Sequence, residues 1–311
     1  MSGFTITAGV SFSGGFTFTE APSENTAAWF GGGYNSSNVI SSTVDRITYA
    51  TDTATATVRG PLSVERKSLA AASNTTYGWF GGGYFPFPKS TVDRITYATD
   101  TATASVRGPL SEGRSYFAAV GNTTDAWFSG GYPNGSKVDR ITYATDTATA
   151  SVRGPLSSAR YSLAAAGNSD YGWFGGGGPG PSSTVNRITY ATDTDTAGVR
   201  GPLSVARYRL AAAGNTTDGW FAAGIGMSTV DRITYATDTA TASVRGPLSA
   251  GKQYLAAAGN TTDGWFGGNY PPSSAGSTVQ RITYATDTNT ASVRGPLSGP
   301  RSQMAAAGGI Q

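Results

Sequence analysis

The 311-residue chain contains no cysteine and no histidine. A disulfide framework is therefore impossible, as is a Cys/His metal site or a mechanism built on a thiol or an imidazole. Charge is scarce as well. Only 13% of residues are charged, and 22 Lys plus Arg stand against 19 Asp plus Glu. That small balance gives no warrant for nucleic-acid binding. No apolar run approaches the ~20 residues of a membrane-spanning helix, and no basic-then-apolar leader opens the sequence. Gly (43) and Pro (15) are abundant instead, with 38% apolar residues, which argues for a folded chain rich in turns rather than charge-driven disorder.

What is present is a repeat. Trp-Phe recurs at Trp29, Trp79, Trp127, Trp173, Trp220 and Trp265, at separations of 50, 48, 46, 47 and 45 residues. A Gly-rich tract follows each Trp, then a variable stretch, then a nearly fixed block. That block reads VDRITYATDTATATVRGPLS from Val44 and recurs from Val92, Val138, Val185, Val230 and Val279. Runs of Thr, Val, Ile, Tyr and Trp broken by Gly-Pro and Asn/Asp turns are strand composition, not helical repeat composition. In the second copy we expect strand A over 69–72, strand B over 78–83, strand C over 92–98 and strand D over 101–107. Strand D should have an apolar face of Ala102, Ala104 and Val106. Four antiparallel strands per unit predict a β-propeller blade, with the Ala and Gly triplets crowded around a narrow axis.

The strand count predicts the closure. Six B–C–D sets begin at Trp29, but the six A strands begin at Leu69, Phe117, Leu163, Leu210, Leu255 and Met304, one unit out of step. The last A strand, at Met304, should join the first set and remove both exposed edges. The expected fold is all-β: a six-bladed β-propeller over 29–311, closed by its C-terminal strand, with a short N-terminal β-arm over 1–28. The arm carries hexads at Gly3, Gly9 and Gly15, with Phe4, Ile6, Val10, Phe12, Phe16 and Phe18 at apolar positions. Those six are the candidate assembly residues, for pairing with another chain or with the propeller itself.

Arg160, the small residues 163–166, Trp173-Phe174, Gly175 to Gly177 and Tyr190 follow one another as in a kelch repeat, so the unit resembles the kelch family. It departs from that family where a late Trp is replaced by Ala, as at Ala56 and Ala104. The resemblance implies a propeller used as a binding scaffold. The hexads, followed by near-identical repeats, also resemble virion and tail-associated proteins of marine, particularly cyanobacterial, bacteriophages.

Differences among the copies point to a face. The B–C connections (34–42, 84–90, 132–137, 178–183, 225–228 and 269–277) and the D–A connections vary, whereas the A–B and C–D turns hardly change. In an up-and-down meander the two variable sets emerge on one side. Tyr34, Tyr84, Phe85, Phe87, Tyr116, Tyr132, Tyr161, Tyr208, Arg209, Tyr254 and Tyr270 are the candidate ligand-binding residues there. Tyr among Ser, Asn and Gly offers large contacts at low entropic cost, as in antibody loops.

Other residues fit catalysis or metal binding poorly. The Arg repeated in strand C (Arg46, Arg94, Arg140, Arg187, Arg232, Arg281) reads as a strut between blades. The Thr-Asp-Thr turns at Asp52, Asp100, Asp146, Asp193, Asp238 and Asp287 supply one carboxylate each against the 6–8 oxygens calcium takes, and read as Asx turns. Glu65 and Glu112 are the only glutamates on the variable face, and the sialidase box Ser-x-Asp-x-Gly-x-Thr-Trp is missing. We therefore expect a non-enzyme without cofactor or metal, located on a virion or outside the cell. Its expected partners are a host surface glycan or protein at the variable face, and other virion proteins or copies of itself at the arm, without membrane insertion. The alternatives are a purely structural or decoration subunit and a carboxylate-only glycosidase.

Overall fold

A computed structural model describes residues 25–37 and 39–308. Among them six four-stranded antiparallel sheets follow one another as the blades of a propeller, each ordered A-B-C-D. In blade 2 strand A is Ala70–Ser73, B is Tyr77–Gly81, C is Val92–Thr96 and D is Ser105–Arg107. Blade 1 takes B, C and D from Ala27–Gly31, Val44–Thr48 and Thr57–Arg59, and its A strand from Ala305–Ala307. The closing register pairs Trp29 with Ala307 and Gly31 with Ala305. The ring closes as expected. The proposed assembly residues Phe4, Ile6, Val10, Phe12, Phe16 and Phe18 lie outside the described residues.

Each blade is apolar on both faces because it is sandwiched between two others. The core is accordingly divided into six buried clusters. One gathers Trp29, Val44 and Leu62 from blade 1 and its following linker with Phe80, Ile95 and Ala104 of blade 2. Its counterpart at the closure gathers Trp265, Val279 and Leu297 with Phe30, Ile47 and Ala56. Successive strand residues point to opposite faces, so Trp of one blade and Phe of the next fill the same gap. In four blades a glycine after the Phe makes room for the next ring: a Cβ on Gly31 would come within 2.9 Å of the Phe80 ring.

A polar junction joins each pair of blades. The Trp29 ring stacks on Tyr97 of blade 2 at 3.8 Å between centroids, and its Nε1 donates to the Asp100 carboxylate at 2.8 Å. Arg46 donates to the same oxygen at 3.1 Å, and Arg59 Nε lies 3.5 Å from it. The Arg46 series is thus a set of inter-blade struts. The Asp series is a correction: these carboxylates do not cap their own turns. They are buried acceptors for the preceding blade, desolvated but satisfied by charge-assisted hydrogen bonds. True Asx turns occur at the A–B corners, where Asn74 Oδ1 accepts from the backbone N–H of Thr76 and Tyr77.

A second polar pin lies within the blade. Arg66, before strand A, is fully buried and donates to Asp93 of strand C at 3.0 Å and to the Phe80 carbonyl at 3.0 Å. Arg114–Asp139, Arg207–Asp231 and Arg301–Asp45 repeat it. Blades 4 and 6 replace the carboxylate by Asn186 and Gln280, opposite Arg160 and Lys252.

Three expectations are corrected. Strand C stops at Thr96, and residues Tyr97–Thr99 form a 3-10 turn that swings the Tyr under the neighbouring Trp. Strand D is only three residues long, with Val106 60% exposed. Its forerunner pairs across the interface instead: Ala104 N–H donates to the Pro61 carbonyl and Gly60 N–H to that of Asp100. Any side chain on Gly60 would overlap the Ala102 carbonyl. Finally, the axis is lined by strand A alanines such as Ala71, Ala119 and Ala165, whereas the Gly triplets face the next blade's Phe or enter the B–C loops.

Candidate binding face

At the variable face the axis is crossed by a closed ring of backbone. The residue two before each strand A (Ser68, Tyr116, Ser162, Arg209, Tyr254 and Gln303) has φ between 56° and 66°. That left-handed conformation costs a non-glycine residue roughly 1–2 kcal/mol. The geometry is held because each N–H donates to the preceding member's carbonyl. Tyr116 binds Ser68, Ser162 binds Tyr116, and so on until Ser68 binds Gln303, at 2.5–2.9 Å. Beneath it Leu69, Phe117, Leu163, Leu210, Leu255 and Met304 fill the mouth of the channel. The backbone is thus sixfold while the side chains it presents are of four kinds, Ser and Tyr twice each and Arg and Gln once.

Those side chains converge. Tyr116 and Tyr254, on opposite blades, bring their ring centroids to 6.0 Å. Tyr270 stands edge-on to Tyr254 at 5.8 Å, and Tyr34 lies 6.1 Å from Tyr270. The Arg209 guanidinium sits over the Tyr208 and Tyr254 rings at 4.7 and 4.6 Å and donates to Gln253 Oε1 at 3.0 Å. Lys67 Nζ lies 4.8 Å above the Tyr34 ring. Cations over aromatic faces are favourable and leave the guanidinium positioned near the surface. Burial pushes the Tyr34 phenol up to about 12. Burial also raises Tyr254, against the lowering by Arg209, and lowers Lys67.

The remaining predicted residues form a rim. Tyr84 pairs with Lys67 through the backbone, Tyr132 with Ser115, and Tyr161 with Gly178. These bridges fasten B–C loops to D–A linkers, so both variable sets occupy one face. Phe87 and Tyr132 are the most exposed aromatics among the described residues, at 71% and 59%, and Phe85 lies beside Phe87 in the same loop. Six of the eleven predicted residues (Tyr34, Tyr116, Tyr208, Arg209, Tyr254, Tyr270) belong to the central cluster. Lys67, Gln253 and Gln303 belong with them and were missed, because no glycine or asparagine marks the left-handed ring in the sequence. Glu112 is engaged by Asn134 Nδ2 at 2.6 Å and Lys137 Nζ at 3.3 Å. Among the described residues no group of three or more acidic side chains is placed to hold a metal ion, and no helix is long and apolar enough to cross a membrane.

Searched against protein-family models and against curated proteins, the chain matches none.

Proposed function

We propose that this kelch-like propeller is a non-enzymatic, virion- or tail-associated binding protein that recognises a host surface glycan or protein through its variable face. The observation carrying this reading is the Tyr116–Tyr254–Tyr270–Tyr34 cluster with Arg209. It is built from residues that differ between blades, on a backbone that is otherwise repeated six times. Aromatic faces stack on sugar rings or apolar side chains, and Arg209 with Lys67 adds donors and positive charge for hydroxyl or acidic groups. The backbone ring and the cation–aromatic contacts fix these side chains before any ligand arrives. Little conformational entropy is then lost on binding. The N-terminal hexads supply the attachment to the particle in this reading.

The test is binding of labelled protein to glycan arrays and intact candidate host cells, beside a Y116G/Y254G/Y270A variant. Glycine at 116 and 254 keeps the left-handed backbone unstrained. We expect saturable binding by the wild type, lost in the variant with an unchanged circular dichroism spectrum. Absence of binding by both proteins would favour the purely structural reading, in which the hexads alone carry the role.

A further inference from the structure

The opposite face carries a variation of its own, at the first residue of strand B. Three blades place an aspartate there: Asp125, Asp218 and Asp263. Each carboxylate occupies the same cradle. Asp125 accepts from Thr142 Oγ1 at 2.5 Å and Thr124 Oγ1 at 2.7 Å, with Arg140 Nε at 3.6 Å. Asp218 has Thr234 at 2.6 Å, Thr217 at 2.8 Å and Arg232 at 3.6 Å. Asp263 has Thr283 at 2.5 Å, Thr262 at 2.7 Å and Arg281 at 3.4 Å. Blades 2 and 4 fill the place differently, with Tyr77 and Tyr171 rings 4.3 and 4.4 Å from the guanidiniums of Arg94 and Arg187.

Blade 1 retains the cradle but not its occupant. Thr26, Thr48 and Arg46 stand at the positions of Thr124, Thr142 and Arg140, as the pairing of residue 27 with Thr48 and of Trp29 with Arg46 shows. The occupant's position holds Ala27, which has no polar atom on its side chain. Among the described residues the Arg46 guanidinium meets one carboxylate, that of Asp100, where Arg140, Arg232 and Arg281 each meet two. An inter-blade groove opens here, lined by Thr26, Thr48, Thr75, Arg46, Trp29 and Tyr97. Trp29 is 4% exposed, where its five counterparts are 0–1%.

We propose that the blade 1 groove is a binding site for a carboxylate-bearing sugar. Three internal aspartates show which group two threonine hydroxyls beside an arginine guanidinium receive in this geometry. The groove continues past the cradle with a further hydroxyl, Thr75, and with the edges of the Trp29–Tyr97 stack, which suit a sugar ring. The site lies at the A–B turn end of the blade, away from the variable face, and does not depend on the function proposed for that face.

The test follows the Arg Nε–Hε and nearby backbone resonances of the full chain during titration with D-glucuronate, glucose and acetate. Glucuronate is expected to shift Arg46 and Thr48 saturably, with glucose and acetate each weaker by about tenfold or more. A27D supplies the missing carboxylate, as three other blades do, and should abolish the Arg46 response while the fold persists. D125A should open a second site, so that Arg140 and Thr142 now respond to glucuronate. The proposal is overturned if glucuronate does not shift Arg46 in the wild type, or if A27D binds as the wild type does; no response of Arg140 in D125A would overturn the cradle as its basis. Acetate binding as tightly as glucuronate would overturn the sugar assignment. An E20Q/E24Q variant should bind unchanged; a marked gain would assign the carboxylate to the chain itself and overturn an external ligand.

Discussion

Trp265 and Asp52 stand 213 positions apart in the chain, yet the indole Nε1 of one donates to the carboxylate of the other at 2.8 Å. Arg281 reaches the same oxygen at 3.0 Å and Arg294 lies 3.4 Å from it. Within the chain the Trp79–Asp146 junction repeats this at 2.9 Å, with Arg94 at 2.9 Å and Arg107 at 3.6 Å. The interface that closes the ring is therefore built like one joined by continuous chain. Removing either carboxylate leaves two arginines and an indole N–H facing a gap. The arginines are about one-fifth to one-quarter exposed, so solvent offsets part of the loss. We expect D52A and D146A each to cost about 2–3 kcal/mol, equal to within about 1 kcal/mol, by chemical denaturation. A D52A loss near zero, beside a full loss in D146A, would mean that the closing interface contributes little.

Ala223 has φ 65°, where the equivalent residues Gly32, Gly82, Gly130, Gly176 and Gly268 also have positive φ. A Cβ is disfavoured in this region, whereas glycine enters it freely. A223G should raise the stability of the protein by about 0.5–1 kcal/mol, the left-handed strain outweighing the extra freedom of glycine in the unfolded chain. The midpoint of urea unfolding measures it. A lowered midpoint would show that packing of the buried methyl outweighs the backbone strain.

The blade, its number and its closure were legible because they depend on residue types repeated six times, Trp-Phe in strand B and Gly-Pro after strand D, and on a count that leaves a B–C–D set without an A strand at one end and an A strand without a set at the other. The function of a single polar residue was less legible. Asp100 sits in a Thr-Asp-Thr setting that suits an Asx turn, and nothing local reveals that Trp29 and Arg46, from another blade, converge on it. Val106 alternates correctly for a buried face, but no layer lies outside strand D to bury it. The convergence of Tyr116 with Tyr254 was hidden for a similar reason. Their meeting depends on opposite positions in a ring, and on a left-handed backbone that no residue type announces.

Lys252 holds the place of the buried arginines, donating to the carbonyls of Gly268 and Thr278 at 3.2 Å. Where other blades have Asp, blade 6 has Gln280, whose Oε1 accepts from Ser249 N–H and whose Nε2 is buried without a partner. Burial lowers the Lys252 ammonium to about 8. With the unfolded value near 10.5, the unfolded chain binds more protons between pH 8 and 10.5. Stability from this group therefore rises with pH across that window, by up to about 1.4 kcal/mol per unit. Q280D restores a carboxylate partner. It should raise stability at pH 7 by about 1–3 kcal/mol and flatten the rise between pH 8 and 9.5 in urea unfolding. A variant no more stable than wild type at pH 7, with the slope retained, would refute the pairing. N186D should act similarly on Arg160, which burial lowers to about 10.

The tyrosines stacked on the tryptophans set the alkaline limit. Burial raises the phenols of Tyr49, Tyr143, Tyr190 and Tyr284 well above 10, and raises Tyr97 and Tyr235 also. A folded value above the unfolded one means that stabilisation is complete below pH 10 and is lost as pH climbs toward the folded value. Each ring contributes up to about 1.4 kcal/mol per unit to that fall. Ionisation of the six should therefore coincide with unfolding, as one steep step in absorbance at 295 nm matched by circular dichroism. Y284F tests the cause. Its hydroxyl has no hydrogen-bond partner, while its ring stacks on Trp220 at 3.7 Å. The substitution should leave stability at pH 7 within about 0.5 kcal/mol and move the alkaline midpoint upward, with one fewer phenol in the step. A midpoint unchanged from wild type would place the alkaline limit elsewhere in the molecule.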